Sequence, residues 1–272
     1  MIKCKYCGSI ETIKFGTHNG VQTYKCLNCG RRFTNPDTPE GMKYPARVIG
    51  SALNLFYEGM SQNAIRRQLH LDHGVLPSDS TVYEWIVRYT RFVLEKQVDY
   101  RAQTCSTWVA DETVIPTDAI GNVWFWDVID ADSRFLLASN VSITRTISAA
   151  KTLFRRALNH AECAPRRIIT DKMLAYPQAV WEVFGPLSPL IRSKGFVVQP
   201  NTNLIERFHG TLKARTKIMR GLKNIRSVEF IMGGWLVHYN FFRPHEALGH
   251  RTPGSAAGIE FPYRNWTEVV KA

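Results

Sequence analysis

Residues 106–117, STWVADETVIPT, are the key to this chain's architecture. The run is rich in β-branched and aromatic residues and reads as a strand, but Asp111 breaks an otherwise uncharged stretch (TCSTWVA precedes it) where a carboxylate is costly without partners. Two more β-rich runs follow, NVWFWDVID (122–130) and RFLLASNVS (134–142), divided by turn signals at Asp118–Gly121 and Asp130–Ser133. From Ser148 to His160 the period becomes helical, with Ala149, Ala150, Leu153, Phe154, Ala157 and Leu158 inward. RRIITD (166–171) then reads as a buried strand. After it come a helix around Tyr176–Phe184, a short strand FVVQP (196–200), and a long basic helix from Asn203. Three antiparallel strands, a helix and a fourth, parallel strand are the order of a ribonuclease-H-like α/β core.

That order selects three carboxylates. Asp111 lies within the first strand, Asp171 ends the fourth, and Glu206 sits in the first turns of the basic helix. In such a sheet the first and fourth strands are neighbours, so Asp111 and Asp171 converge and the helix brings Glu206 alongside. Three acids sharing a site repel one another unless divalent cations lie between them. Mg2+, or Mn2+, suits oxygen ligands and substrate phosphates. Two such ions fit phosphoryl transfer on nucleic acid. A chain with 23 acids also contains such triples by chance. Glu112 is the rival to Asp111, and strand alternation assigns it to the opposite face. Along the helix, Asn203, Glu206, His209 and Lys213 share a face, so His209 and Lys213 are candidate DNA-phosphate contacts. Lys172, beside Asp171, is another.

Upstream, Cys4-x2-Cys7 and Cys26-x2-Cys29 have the spacing of a four-thiolate structural zinc site. The stretch between alternates around Asn19-Gly20 and reads as a β-hairpin, which makes residues 1–36 a zinc ribbon. Two disulfides or a redox pair are the other readings. Cys105 and Cys163 are isolated and read as ordinary small apolar residues. NPDTPEG (35–41) is a linker by composition. Residues 42–103 then show three helical runs: Val48 to Phe56, a second with Ile65 and Leu69 capped by Ser61, and a third with Val82, Trp85, Ile86, Tyr89 and Val93 capped by Ser80. This is a candidate helix-turn-helix presenting Thr81 and Arg88 to a major groove, or a small dimerising bundle; the preceding ribbon, with Arg31 and Arg32 beside its second knuckle, favours DNA.

The charge distribution agrees. The 272 residues carry a net +12, which makes polyanions (DNA, RNA or an anionic membrane) the first partners to consider. It divides as +5 over residues 1–50, 0 over 51–104, −1 over 105–190 and +8 over 191–272. From Arg192 to Arg226 there are nine Lys and Arg against Glu206 alone, among them Arg207, Lys213, Arg215 and Lys217. These are the candidates for salt-dependent phosphate binding. With no long apolar run and no amphipathic anchor, the expected partner is DNA, and the expected location is the cytoplasm, at the nucleoid, with no membrane and no small-molecule substrate.

WVADETVIPT, RRIITDKMLAYP, NTNLIERFHGTLKARTK and HYNFFRPHEALGHRTPGSAA together resemble the DDE transposases of insertion sequences, most of all the IS-six group with its integrase-like core. The resemblance covers nearly the whole chain. It implies that residues 104–262 form the catalytic core and that Asp111, Asp171 and Glu206 hold two Mg2+ ions. Lys213 would match a lysine that contacts the element end. It further implies 3′-end cleavage at the terminal inverted repeats and strand transfer into target DNA by a homodimer or larger complex. A DNA-binding regulator with a relic nuclease domain, or a nuclease without strand transfer, are the alternatives. The chain departs from the family pattern at Val114–Trp126, where a basic hairpin is expected and VIPTDAIGNVWFW stands.

Overall fold

A computed structural model describes residues 2–18, 21–34, 37–39, 42–96, 100–193, 202–217, 219 and 222–272. They form two compact units, one of Met1–Phe56, Gln62–Tyr89 and Tyr263–Ala272, the other of Tyr57–Ser61 and Thr90–Pro262.

The first unit opens with an antiparallel sheet in the order β1 (Thr12–His18), β2 (Val21–Cys26), β3 (Arg32–Thr34). The expected hairpin is β1–β2; its Asn19-Gly20 turn lies outside the described residues. β3, only three residues long, is too short to show a period in sequence. The apolar interior of this sheet is small: Cys4, Cys26 and Phe33, with Ile2 and Tyr24 against them. Helices α1 (Ala46–Tyr57), α2 (Gln62–His73) and α3 (Asp79–Glu95) follow. Ser78 caps α3, accepting the Thr81 N–H at 3.1 Å, where Ser80 was expected. Arg66 pins the α2–α3 connection by donating to the Pro77 carbonyl at 2.7 Å and pairing with Asp79 at 2.9 Å. The C-terminal helix Trp266–Lys271 crosses α1 at Gly50, where a Cβ would lie 2.7 Å from the Thr267 backbone.

The second unit holds a five-stranded mixed sheet in the order β6-β5-β4-β7-β8. β4 (Thr107–Thr117), β5 (Gly121–Asp130) and β6 (Leu136–Ser142) are antiparallel neighbours, and β7 (Arg167–Thr170) and β8 (Leu190–Arg192) run parallel to β4. This is the strand order expected of a ribonuclease-H-like core. β8 precedes the expected strand FVVQP, which lies outside the described residues. α4 (Ile147–Asn159), N-capped by the Thr146 hydroxyl, crosses from β6 to β7, and α5 (Ala175–Phe184) from β7 to β8. α6 (Asn203–Lys217) and α7 (Ile225–Val237) complete the unit. β4 is buried at Thr107–Ala110 without alternation, as a central strand covered on both faces must be.

Parallel pairing of Thr107 with Arg167 also overturns one expectation. It brings the segments before β4 and β7 together, so Cys105 and Cys163 form a disulfide, with Cα atoms 5.5 Å apart. Their separation of 58 residues concealed this in the sequence.

After α7 the chain enters a π-helical turn, His238–Phe242. Its buried Asn240 accepts the Leu136 N–H and donates to the Leu136 carbonyl, both at 3.0 Å. The edge strand β6 thereby has two outward backbone groups satisfied by a side chain. Asn240→Ala strands both. The expected cost is about 2–4 kcal/mol, seen calorimetrically as a Tm drop of roughly 5–12 °C. An unchanged Tm contradicts this role. Among the described residues, no helix is long and apolar enough to cross a membrane.

Candidate active site

β7 pairs with β4 only from Thr107 to Val109. Just beyond, Asp111 and Glu112 on β4 stand beside Asp171, which follows β7. This is the carboxyl end of the parallel strands, where open α/β sheets form their clefts. Oxygen atoms of Asp111, Glu112 and Asp171 lie within 4.8 Å of one another. Burial lifts the Asp111 carboxyl from an ordinary 3.8 to about 7; the nearby His209 opposes that rise and Asp127 adds to it. Asp171 is steadied at Oδ1 by the Met173 N–H at 2.9 Å.

Glu112 corrects one expectation. Alternation does hold for its neighbours: Asp111 faces His209, while Glu112 faces Tyr176 and Arg145. The longer Glu112 side chain nevertheless reaches the same cluster, because no β7 residue pairs with β4 there. Both of its oxygens are occupied. Tyr176 donates its hydroxyl to Oε2 at 2.6 Å, and Arg145 pairs with Oε1.

Glu206 lies in the first turn of α6 and accepts the Thr202 hydroxyl at 2.8 Å. The described carboxylate cluster contains Asp111 and Asp171 but not Glu206. One turn on, His209 is buried rather than presented to solvent. Its Nε2 meets Asp127 of β5 at 2.9 and 3.1 Å, and its Nδ1 lies 3.6 Å from Asp111. His209, expected as a phosphate contact, is thus engaged by Asp127 and Asp111 within the fold. Burial depresses its pKa, but the carboxylates of Asp127 and Asp111 outweigh this and raise it. Asp127 was missed in the sequence, although it too is an acid within an apolar run, VWFWDVI, the very signal that marked Asp111.

The remaining candidates divide. Arg207, Lys213 and Lys217 are exposed on α6, and Lys172 is exposed beside Asp171. Arg215, another expected phosphate contact, is buried, its guanidinium brought down to about 10 by desolvation. In the first unit, Arg31, Arg32 and Arg88 are exposed, while the half-buried Thr81 engages Ser78 at 2.8 Å.

In the N-terminal sheet region the sulfurs of Cys4, Cys7, Cys26 and Cys29 gather within 4.8 Å, with Cys4–Cys29 at 3.7 Å and Cys7–Cys26 at 3.6 Å. A tetrahedron of Zn–S bonds near 2.3 Å has S···S edges of about 3.8 Å, so the four thiols fit that ion. Gly8 and Gly30 take φ of +73° and +71°, which glycine adopts without strain. Among the N–H groups that face sulfur are those of Tyr6 and Cys29.

Without a cation, the folded chain holds a proton on Asp111 that the unfolded chain releases near 3.8. The native state then binds more protons between that value and about 7, so stability falls as pH rises across this window. Thermal melts in EDTA are expected to show this decline, with part of the slope missing in Asp111→Asn. A slope identical in the variant contradicts the shift.

Residues 105–245, just over half of the chain, match a family described as a DDE domain, of the IS240 transposase type. The acids on this mixed sheet thus belong to a phosphoryl-transfer enzyme of the DDE class. The chain is a member of the DDE transposase family, an enzyme acting on DNA. No curated protein matches it. Among solved structures it is similar to the HTLV-2 integrase catalytic core in complex with magnesium (15% identity, 58% of this chain and 99% of that chain, TM-score 0.45). It is also similar to the simian T-cell lymphotropic virus intasome with a PP2A regulatory subunit (14%, 74% and 73%, TM-score 0.45), and to the BIV integrase core (16%, 56% and 92%, TM-score 0.41).

Proposed function

We propose that this chain binds the terminal inverted repeats of an insertion sequence, cleaves their 3′ ends and joins them to target DNA. The observation that carries this is the convergence of Asp111 and Asp171 at the end of β4 and β7. Their oxygens are hard ligands suited to Mg2+. Glu206, from α6, is assigned as the third ligand in preference to Glu112, because Tyr176 and Arg145 already take both Glu112 oxygens. Bound there, a pair of Mg2+ ions supplies a water of lowered pKa and charge stabilisation at the scissile phosphate. Lys213, Arg207 and Lys217 hold the DNA backbone near the acids, and Lys172 contacts the substrate beside Asp171. The ribbon (1–36), its four thiolates on one Zn2+, and the three-helix module (42–103) read the repeats. Arg31, Arg32, Thr81 and Arg88 contribute there, with 104–262 as the catalytic core. Because two ends are handled together, the active complex is at least a homodimer.

The test is incubation of the protein with Mg2+, target DNA and labelled ends carrying the repeats that flank its gene. The expected product is joined DNA. Cleavage without joining identifies a nuclease, and binding alone a regulator; either overturns the proposal.

A further inference from the structure

We propose that Asp127 is a positioning residue for the site, acting through His209 to orient Asp111 and to set α6, and with it Glu206. This rests on the cation-binding reading of Asp111, Asp171 and Glu206. Asp127 is wholly buried, and a buried carboxylate is costly unless it is paired and hydrogen-bonded. It stands directly across from Asp111 in the β4–β5 register, so both side chains rise from one face of the sheet. His209 closes over them. Two Asp127 oxygens lie at 2.9 and 3.1 Å from its Nε2, which fixes the ring plane. The other ring nitrogen then faces Asp111 at 3.6 Å. One imidazole therefore joins β4, β5 and α6. Groups in the shell outside a metal's ligands orient those ligands, and losing such a partner typically weakens metal affinity about 10–100-fold. Because His209 lies one helical turn after Glu206, holding His209 also fixes the rotation of α6 about its axis.

The test is Mn2+ binding to the full chain, followed by electron paramagnetic resonance, for wild type, Asp127→Asn, His209→Gln, the double variant and Asp111→Asn. Nitrogen NMR of His209 is recorded in parallel during Mg2+ titration of the wild type. Asp127→Asn keeps the shape and removes the charge. It is expected to weaken Mn2+ about 10–100-fold with little change in Tm. The double variant is expected to be no weaker than His209→Gln alone, since both act along one path. The His209 nitrogen resonances are expected to shift as Mg2+ binds. If Asp127→Asn does not fold, the His209→Gln affinity and the wild-type NMR titration carry the test. Wild-type Mn2+ affinity in both single variants, or silent His209 resonances, overturns the positioning role while Asp111→Asn still loses binding. Unchanged binding in Asp111→Asn overturns the cation site itself.

Discussion

Asp111→Asn and Asp171→Asn will each lower Mg2+-dependent strand transfer by roughly three orders of magnitude, about 4 kcal/mol of transition-state stabilisation. Asn keeps the shape of each side chain but removes the charge that holds a hard cation. Glu206→Gln is expected to fall as far. Glu112→Gln separates two readings of the site, because Glu112 lies in the cluster yet has both oxygens engaged by Tyr176 and Arg145. It should retain transfer within about tenfold and lose roughly 1 kcal/mol of stability, since its Arg145 partner is partly solvated. Single-turnover joining of labelled ends decides the matter. A Glu112→Gln chain that is dead beside an active Glu206→Gln chain would give the third ligand to Glu112. Full activity in both Asp variants would remove the site.

Stripping zinc is expected to melt the ribbon and leave the sheet of the second unit intact. The apolar interior of the three-stranded sheet, Cys4, Cys26 and Phe33, is far too small to offset chain entropy. Structural zinc typically supplies about 10–16 kcal/mol of apparent binding energy to such a module. Cys26→Ser, at a fully buried ligand position, should act like a strong chelator. Amide resonances of residues 2–34 should collapse toward random-coil values, and affinity for element ends should fall, while tryptophan signals of Trp108 and Trp126 stay dispersed. Metal analysis should return one zinc per reduced chain. A ribbon still dispersed in chelator would mean that something other than zinc holds its thiols.

Local pattern was enough for much of this. The 3–4 spacing of apolar residues located α1 to α4 to within a few residues, α5 and the start of α6 were also placed, and the apolar β-rich runs located β4 to β7. The cost of a lone carboxylate in a buried strand marked Asp111, and the CxxC spacing marked the four thiols that the fold gathers. What local pattern omits is what depends on a partner far along the chain. β3 and β8 have only three residues each and exist through their neighbours. The Cys105–Cys163 disulfide, Asn240 on Leu136, and the grip of Asp127 on His209 join positions 58, 104 and 82 residues apart.

The order of the elements, the family motifs and the costly acids are legible along the chain, because those follow from spacing and from the chemistry of single residues. Which face each helix turns inward is set by packing in three dimensions. That choice withdrew His209 and Arg215 from solvent. It also set Glu112 beside Asp111 and Asp171 at the point where β7 ends. Burial and proximity are properties of packed surfaces, and no periodicity along one segment encodes the segment that will cover it.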